Sequence, residues 1–344
     1  MTDQQRRLTQ ADIARQSRVS QSTVSLVLNG SPARISPGTR ARVLRVIQQT
    51  GYVADPIARR LSAARNQIIG VFTYEPAFPA AASDFYLPFL IGIEESAEEL
   101  GWDLLLFTST PARNGRRRIY HPGSRLRIAD GCLLLGRNYE QDELARLLAE
   151  GFPFVSIGRR DDAGGPVPYV GADYAAATAS LTRRLIECGH RTTAYVGPGA
   201  GAESSVDRFQ GYLQATATAK QATHHVDPTA LDTGSVLESL LAKHVTALLA
   251  EDLTIAQALV DVAAASGLSV PRDLSIAVLG EPLGPVPPGH DFDRFRIPRR
   301  EMGAGAVEQL VRILEGRATR EAPQILLSCQ PVVGRTIASP RPTR

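Results

Sequence analysis

The chain is poor in cysteine, lysine and long apolar runs. Three cysteines, Cys132, Cys188 and Cys329, are scattered over 344 residues. They are odd in number and far apart, so they suggest neither a disulfide framework nor a zinc site, and they fit a reducing cytoplasm. No stretch of about 18 apolar residues occurs, so no membrane span is expected. The opening residues MTDQQRRLTQ are polar and lack the apolar core of a secretory signal, so export is not expected. Only two lysines occur, Lys220 and Lys243. What is present is a globular composition, 43% hydrophobic and 21% charged, in a length that suits two or three domains.

The net charge of +3 conceals an asymmetry. Residues 1–66 carry eleven arginines against Asp3, Asp12 and Asp55, a net +8, and the remainder carries −5. Charge alone fits either a polyanion partner for the head or a solvated basic surface.

The head is clearly punctuated. Thr9 with Asp12 marks a helix start, and a short helix follows over Gln10 to Ser17 with Ile13 and Ala14 inward. Arg18-Val19-Ser20 is a tight turn, and Ser20 caps a second helix from Gln21 to about Asn29, closed by Gly30. Two short helices joined this way make a helix-turn-helix. At about 100° per residue, Thr23, Val24, Val27 and Leu28 share one side of the second helix. Gln21, Ser22, Ser25 and Asn29 share the other, with Leu26 at its edge. That polar, uncharged face suits base edges and phosphates, and Leu26 suits a thymine methyl; amphipathicity alone also fits a face that only meets water. Ser36, Pro37 and Gly51 bracket a third helix, with an inner stripe of Val43, Leu44 and Ile47 and with Arg40, Arg42 and Arg45 as phosphate candidates. Asp55-Pro56 opens a two-turn helix that is marginal alone and needs a partner surface. Leu61 beside Arg59 and Arg60 fits a wedge in a minor groove, or a linker that is merely helical.

LTQADIARQSRVSQSTVSLVLNG and SPGTRARVLRVIQQTGYVADPIARRLSAARNQIIGVF resemble the head of the lactose-repressor (LacI/GalR) family of bacterial transcription regulators. The resemblance is dense over residues 8–72 and looser beyond. It implies a homodimer on a double-stranded operator and a body like the periplasmic sugar-binding proteins. By this resemblance Gln21, Ser22 and Leu26 read bases, while Thr23, Ser25 and Asn29 support or anchor the helix. Ala58 and Arg59 fall in the hinge helix, and Leu61 matches the hinge leucine. With Thr9, Ser20 and Tyr52 these residues form the expected DNA-binding set. Leu26 stands where a basic residue is common in the family.

From Gln67 short apolar runs alternate with helical stretches. IIGVF, DLLLF, GCLLLG at 131–136, FPFVSI at 152–157, TAYVG at 193–197, VTALLA at 245–250 and LSIAVLG at 274–280 read as strands. Leu90–Leu100, Ala175–Cys188, Gly234–His244 and Ile255–Ser266 read as helices. This alternation predicts parallel sheets. The expected fold is therefore α/β: a helix-turn-helix domain at 1–54, a hinge helix and linker at 55–66, and a two-lobed periplasmic-binding-protein-like body at 67–344. Ligands of such folds sit beyond the carboxyl ends of strands, between the lobes.

Arg208 stands in a segment that follows one strand end, where an arginine grips a hydroxyl pair or carboxylate, or else forms a surface ion pair. It matches the family's arginine before x-x-Gly. Glu251 and Asp252 follow the VTALLA strand and resemble the family's Asn-Asp or Ser-Asp pair, whose first member meets ligand, although an acid pair there also suits a helix start. The family's aspartate after FPFVSI is here Gly158, and its G-[FY]-D-D reads Gly280-Glu281. Both changes remove carboxylates, so the ligand is either no ordinary sugar or is held by Glu251 and Glu281, or the body responds poorly to small molecules. Phe85 and Tyr86 are expected to line the cleft, with core packing an equal option for Phe85. Segment 76–84 is read as a mobile flap, and Arg113–Arg127 as a solvated irregular stretch or an anion site.

Enzyme readings find little support. Gly197-Pro198-Gly199-Ala200-Gly201-Ala202 satisfies G-x-G-x-x-A but lacks the acidic residue about 20 positions on. His224-His225 has no metal-ligand cluster nearby, and no G-x-S-x-G elbow occurs. No cofactor is expected. The rivals to a ligand-responsive regulator are a solute-binding protein and a sugar-modifying enzyme. The expected assembly is a dimer, because no leucine-heptad tail follows Arg335.

Overall fold

The computed structural model describes residues 8–28, 35–52, 66–76, 85–108, 117–229, 232–281, 291–317 and 322–341. Asn29, Ala58, Arg59, Leu61, residues 77–84 of the segment 76–84 and residues 113–116 of the basic stretch lie outside the described residues. The chain divides into two compact units, Met1–Asn66 and Gln67–Arg344.

The first unit contains α1 (Gln10–Ser17), α2 (Gln21–Leu28) and α3 (Pro37–Thr50). Thr9 caps α1 in a reciprocal box: its hydroxyl accepts from the Asp12 amide, and the Asp12 carboxylate accepts from the Thr9 amide at 3.0 Å. Ser20 caps α2, its Oγ accepting from Thr23 N at 3.2 Å. Ser36 caps α3 and Gly51 closes it in the left-handed region. Ile13, Ala14, Val24, Val27, Val43 and Tyr52 form the core. Leu44 is not part of the inner stripe; it is 46% exposed. It lies about 100° around the helix from Val43, whereas Val46 and Ile47 fall closer and pack on the core. Arg42 is not a free phosphate clamp either, since its Nε donates to the Ser17 carbonyl at 2.9 Å and ties α3 to the end of α1.

The second unit starts with β1 (Ile68–Thr73), α4 (Leu87–Leu100), β2 (Asp103–Phe107), β3 (Gly131–Leu135), α5 (Gln141–Ala149), β4 (Phe154–Ile157) and β5 (Tyr169–Ala172). The chain then passes into α6 (Tyr174–Glu187), β6 (Thr193–Val196), α7 (Glu203–Thr218), β7 (His224–Val226), α8 (Thr233–Leu241), β8 (Ala247–Ala250), α9 (Leu253–Ala265), β9 (Ser275–Val278) and β10 (Asp293–Arg296). It returns through α10 (Arg299–Leu314), which packs beside α4 and over β3, β4 and β5. β11 (Gln324–Leu327) and β12 (Gln330–Val332) follow.

Two six-stranded sheets result, in the orders β11-β5-β4-β3-β1-β2 and β12-β10-β9-β8-β6-β7. The first is wholly parallel. The second departs from the expected parallel form, because β12 runs antiparallel to β10. Only Ser328 and Cys329 separate β11 from β12, so the chain passes directly from the edge of the first sheet to the edge of the second. β3, β4, β5, β6, β8 and β9 are buried at every position, as strands covered on both faces must be. Three segments therefore link the lobes: those after β5, after β10 and after β11.

Candidate functional sites

On α2 of the first unit Gln21 and Ser22 are exposed, and Thr23, Ser25 and Leu26 are half-buried. Ser20 organises this end of the helix. Its hydroxyl lies 2.7 Å from that of Ser22 and 2.8 Å from that of Thr23. The outward face is thus short, uncharged and rich in hydrogen-bonding groups held in place by one serine. Thr9 is exposed but its hydroxyl serves the α1 cap. Tyr52 does not stand on the surface; it is buried in the core of the head, so any effect it has on DNA passes through packing.

In the second unit a cavity of about 530 Å3 is lined by Phe85, Arg208, Glu251, Asp252 and Glu281, five of the six effector candidates. Tyr86 is not among them. It lines a small adjoining chamber that shares Phe85, Arg137, Tyr174 and Ser204 with the main cavity. Its hydroxyl donates to Glu75, and burial followed by that carboxylate holds the phenol well above its usual pKa.

Each wall of the cavity follows from the elements. Arg208 projects from α7, is buried, and donates from Nε to the Leu279 carbonyl at 2.7 Å and from Nη1 to the Ser204 carbonyl at 2.9 Å. Its guanidinium lies 3.9 Å from the Tyr174 ring centroid. Gly211, three residues on, explains the glycine of the Arg-x-x-Gly pattern: a Cβ there would fall 2.2 Å from the Ala175 carbonyl oxygen, so only glycine lets α7 meet α6. Glu251 stands at the carboxyl end of β8 and accepts from Tyr195 Oη at 2.6 Å and from the Ser205 hydroxyl. Burial, then the Glu251 charge, raise the Tyr195 pKa. Asp252 caps α9 by accepting from Ile255 N at 2.9 Å. Glu281, beyond β9, accepts from Arg299 Nη1 at 2.8 Å and Ile297 N at 3.1 Å.

Arg137, Tyr174, Ser205 and Arg299 also line the cavity, and sequence reasoning did not select them. Arg137 was within reach, since it directly follows the strand run at 131–136. Arg299 was not, because α10 itself went unread.

Gly158 has φ 102°, a region that any side chain strains, so an aspartate does not simply fit this backbone. The next two residues span the lobes instead. Arg159 Nε bonds both carboxylate oxygens of Asp207, at 2.9 and 2.8 Å, and Arg160 Nη1 meets Glu203 at 2.9 Å. Both acids lie on α7. Burial opposes the Arg159 charge, but Asp207 and Asp161 outweigh it and raise its pKa. The His224-His225 pair lies in β7, with His225 Nε2 2.8 Å from the Gly197 carbonyl. Among the described residues no cluster of three or more His, Cys, Asp or Glu side chains is arranged to hold a metal ion.

Residues 9–55 match the family model for bacterial regulatory proteins of the lacI family, and residues 182–337 match that for a periplasmic binding protein-like domain. The sequence is 32% identical over 292 residues to the HTH-type transcriptional regulator CelR of Thermobifida fusca, a match covering 80% of this chain and 82% of that protein. The structure is similar to that of a CelR–cellobiose complex, with TM-score 0.60, 27% identity, and coverage of 96% of this chain and 100% of that one. It also matches a lac repressor dimer bound to operator and the anti-inducer ONPF, with TM-score 0.70 and coverage of 96% and 99%; at 19% identity this likeness shows the fold alone.

Proposed function

The chain belongs to the lacI family of bacterial regulatory proteins, and from that premise we propose that it is a ligand-responsive repressor, a homodimer on a palindromic operator. The observation that carries this reading is the cavity in which Phe85, Arg208, Glu251, Asp252 and Glu281 converge at strand ends. It gives a DNA-binding regulator a place for a small molecule. The similar structure, a CelR–cellobiose complex, supports a sugar-like occupant.

Gln21, Ser22 and Leu26 read base edges, and Thr23, Ser25 and Asn29 hold α2 against the duplex. In a dimer the two reading helices lie one DNA turn apart, about 34–36 Å. Ala58, Arg59 and Leu61 belong to a hinge that completes its folding on DNA, with Leu61 entering the minor groove. The effector acts only through its difference in affinity for the two states of the lobes. The protein works by binding rather than by catalysis, in the cytoplasm where its operator lies. Among the described residues no helix is long and apolar enough to cross a membrane.

The test is fluorescence anisotropy of the full-length protein on duplexes from its own promoter region, with and without sugars. Specific binding at low ionic strength that a sugar or sugar derivative alters is the expected result. A protein that ignores those duplexes under every condition sinks the reading. Arg208→Ala is expected to keep operator binding and lose the effector response; an intact response removes Arg208 from the site.

A further inference from the structure

The charges of the cavity are unequally partnered. Its three carboxylates are all engaged within the protein: Glu251 by two hydroxyls, Asp252 by the α9 amide, and Glu281 by Arg299 and a backbone amide. Its guanidinium groups are not. Arg137 makes no ion pair or hydrogen bond among the described residues, and only stacks 4.5 Å from the Phe85 ring centroid. Arg208 meets two carbonyls and a ring but no carboxylate, and its Nη2 has no partner among the described residues. Arg299 shares Glu281, yet its Nε is buried without a partner.

Arg208 and Arg299 are each only 8% exposed, Arg299 with Glu281 as its counter-ion and Arg208 with none among the described residues, whereas Arg137 is exposed. Buried cationic groups without compensating anions are costly, and an oxyanion that accepts from guanidinium forks recovers much of that cost. Arg299 registers the imbalance. Burial lowers its pKa first, the nearby Arg208 and Arg137 lower it further, and Tyr174 and Glu281 offset this only in part. Gly280 leaves room beside the open guanidinium nitrogen: a Cβ there would stand 3.8 Å from Arg208 Nη2. Phe85 and Tyr174 supply flat apolar faces against which a ring can lie.

We propose that the effector of this cleft is an acidic small molecule, whose carboxylate or phosphate is held by Arg137 and Arg208 with its ring against Phe85 and Tyr174. This rests on the cavity being the effector site. It narrows the ligand class from sugar-like to oxyanion-bearing.

Isothermal titration of the full-length protein with glucose, glucuronate and glucose 6-phosphate, and with cellobiose and cellobionate, tests it. At least one acid is expected to bind about tenfold or more tightly than its neutral parent, with affinity falling as salt rises. Glucuronate or cellobionate binding identifies a carboxylate, and glucose 6-phosphate binding identifies a phosphate ester. Arg137→Gln is expected to weaken that acid about tenfold, and Gly280→Asp, which sets a competing carboxylate beside Arg208, to abolish its binding. Circular dichroism melts of both variants establish that they fold. A neutral sugar binding as tightly as its acid, no acid in the panel binding, or acid binding indifferent to Arg137→Gln overturns the proposal. A neutral sugar that releases the promoter duplex overturns this inference and leaves the regulator reading intact, so the two failures are distinct.

Discussion

Gln21 is exposed on the reading face, and its amide carries both a donor and acceptors that pair with an adenine edge in a major groove. Gln21→Ala is therefore expected to cost about 1–3 kcal/mol on the operator and little on random DNA, as measured by competition anisotropy. Equal losses on both would make Gln21 a backbone contact. His190 illustrates a different residue-scale effect. It is 1% exposed, with Nε2 2.9 Å from the Ala338 carbonyl and Nδ1 2.9 Å from the Thr246 hydroxyl. A carbonyl only accepts, so Nε2 carries the proton and Nδ1 accepts from Thr246. Burial lowers the His190 pKa below the usual imidazole value, with the Ala338 bond opposing it. The unfolded chain then binds the extra proton first. The stability that neutral His190 contributes is present above about pH 6.5 and is lost as pH falls from there through the lower folded pKa. Thermal melts from pH 8 to 5 should show a decline below pH 6.5 that His190→Gln reduces; an unchanged slope in the variant would assign the decline to other groups.

At the scale of elements, the α6–α7 contact near the cavity is tightly constrained. Gly211→Ala would set a methyl group against the Ala175 backbone, which cannot move without parting the helices. A loss of about 1–3 kcal/mol in urea unfolding is expected, together with a weakened effector response because Arg208 rides on the same helix. No change in unfolding midpoint would show that the helices separate freely. Elements with strong local signals were readable from sequence. β2 was placed at its observed bounds, and the apolar runs at 131–135, 193–196 and 247–250 became strands because full burial demands such runs. β5, β7, β10, β11 and β12 were not read, nor were α5, α7 and α10. His224–Val226 and Asp293–Arg296 mix charge or imidazole with apolar residues. Their strand state comes from pairing with distant neighbours, which no local pattern records. The candidate site divided along the same line. Arg208, Glu251 and Glu281 were legible as groups close to strand ends, whereas Arg299 enters the cavity only because α10 returns to the first lobe.

At the scale of the body, Arg159–Asp207 and Arg160–Glu203 join the two lobes across the cleft. Both pairs are largely shielded from water, with side-chain exposures of 21% and 16% for the first and 5% and 19% for the second, so they resist screening better than surface pairs. Their removal by Asp207→Asn with Glu203→Gln is expected to open the body, seen as a larger radius of gyration in small-angle scattering and a several-fold weaker effector affinity. An unchanged radius would mean that the linking segments alone set the closure. Those segments have another consequence. β11 completes the first sheet, yet it is made after nearly all of the second, and β12 follows it at once. During synthesis the first lobe must wait with an open edge while the ribosome translates its companion. A nascent chain halted short of Gln324 would hold two unfinished sheets, each lacking its outer strand, which is the state most in need of a chaperone.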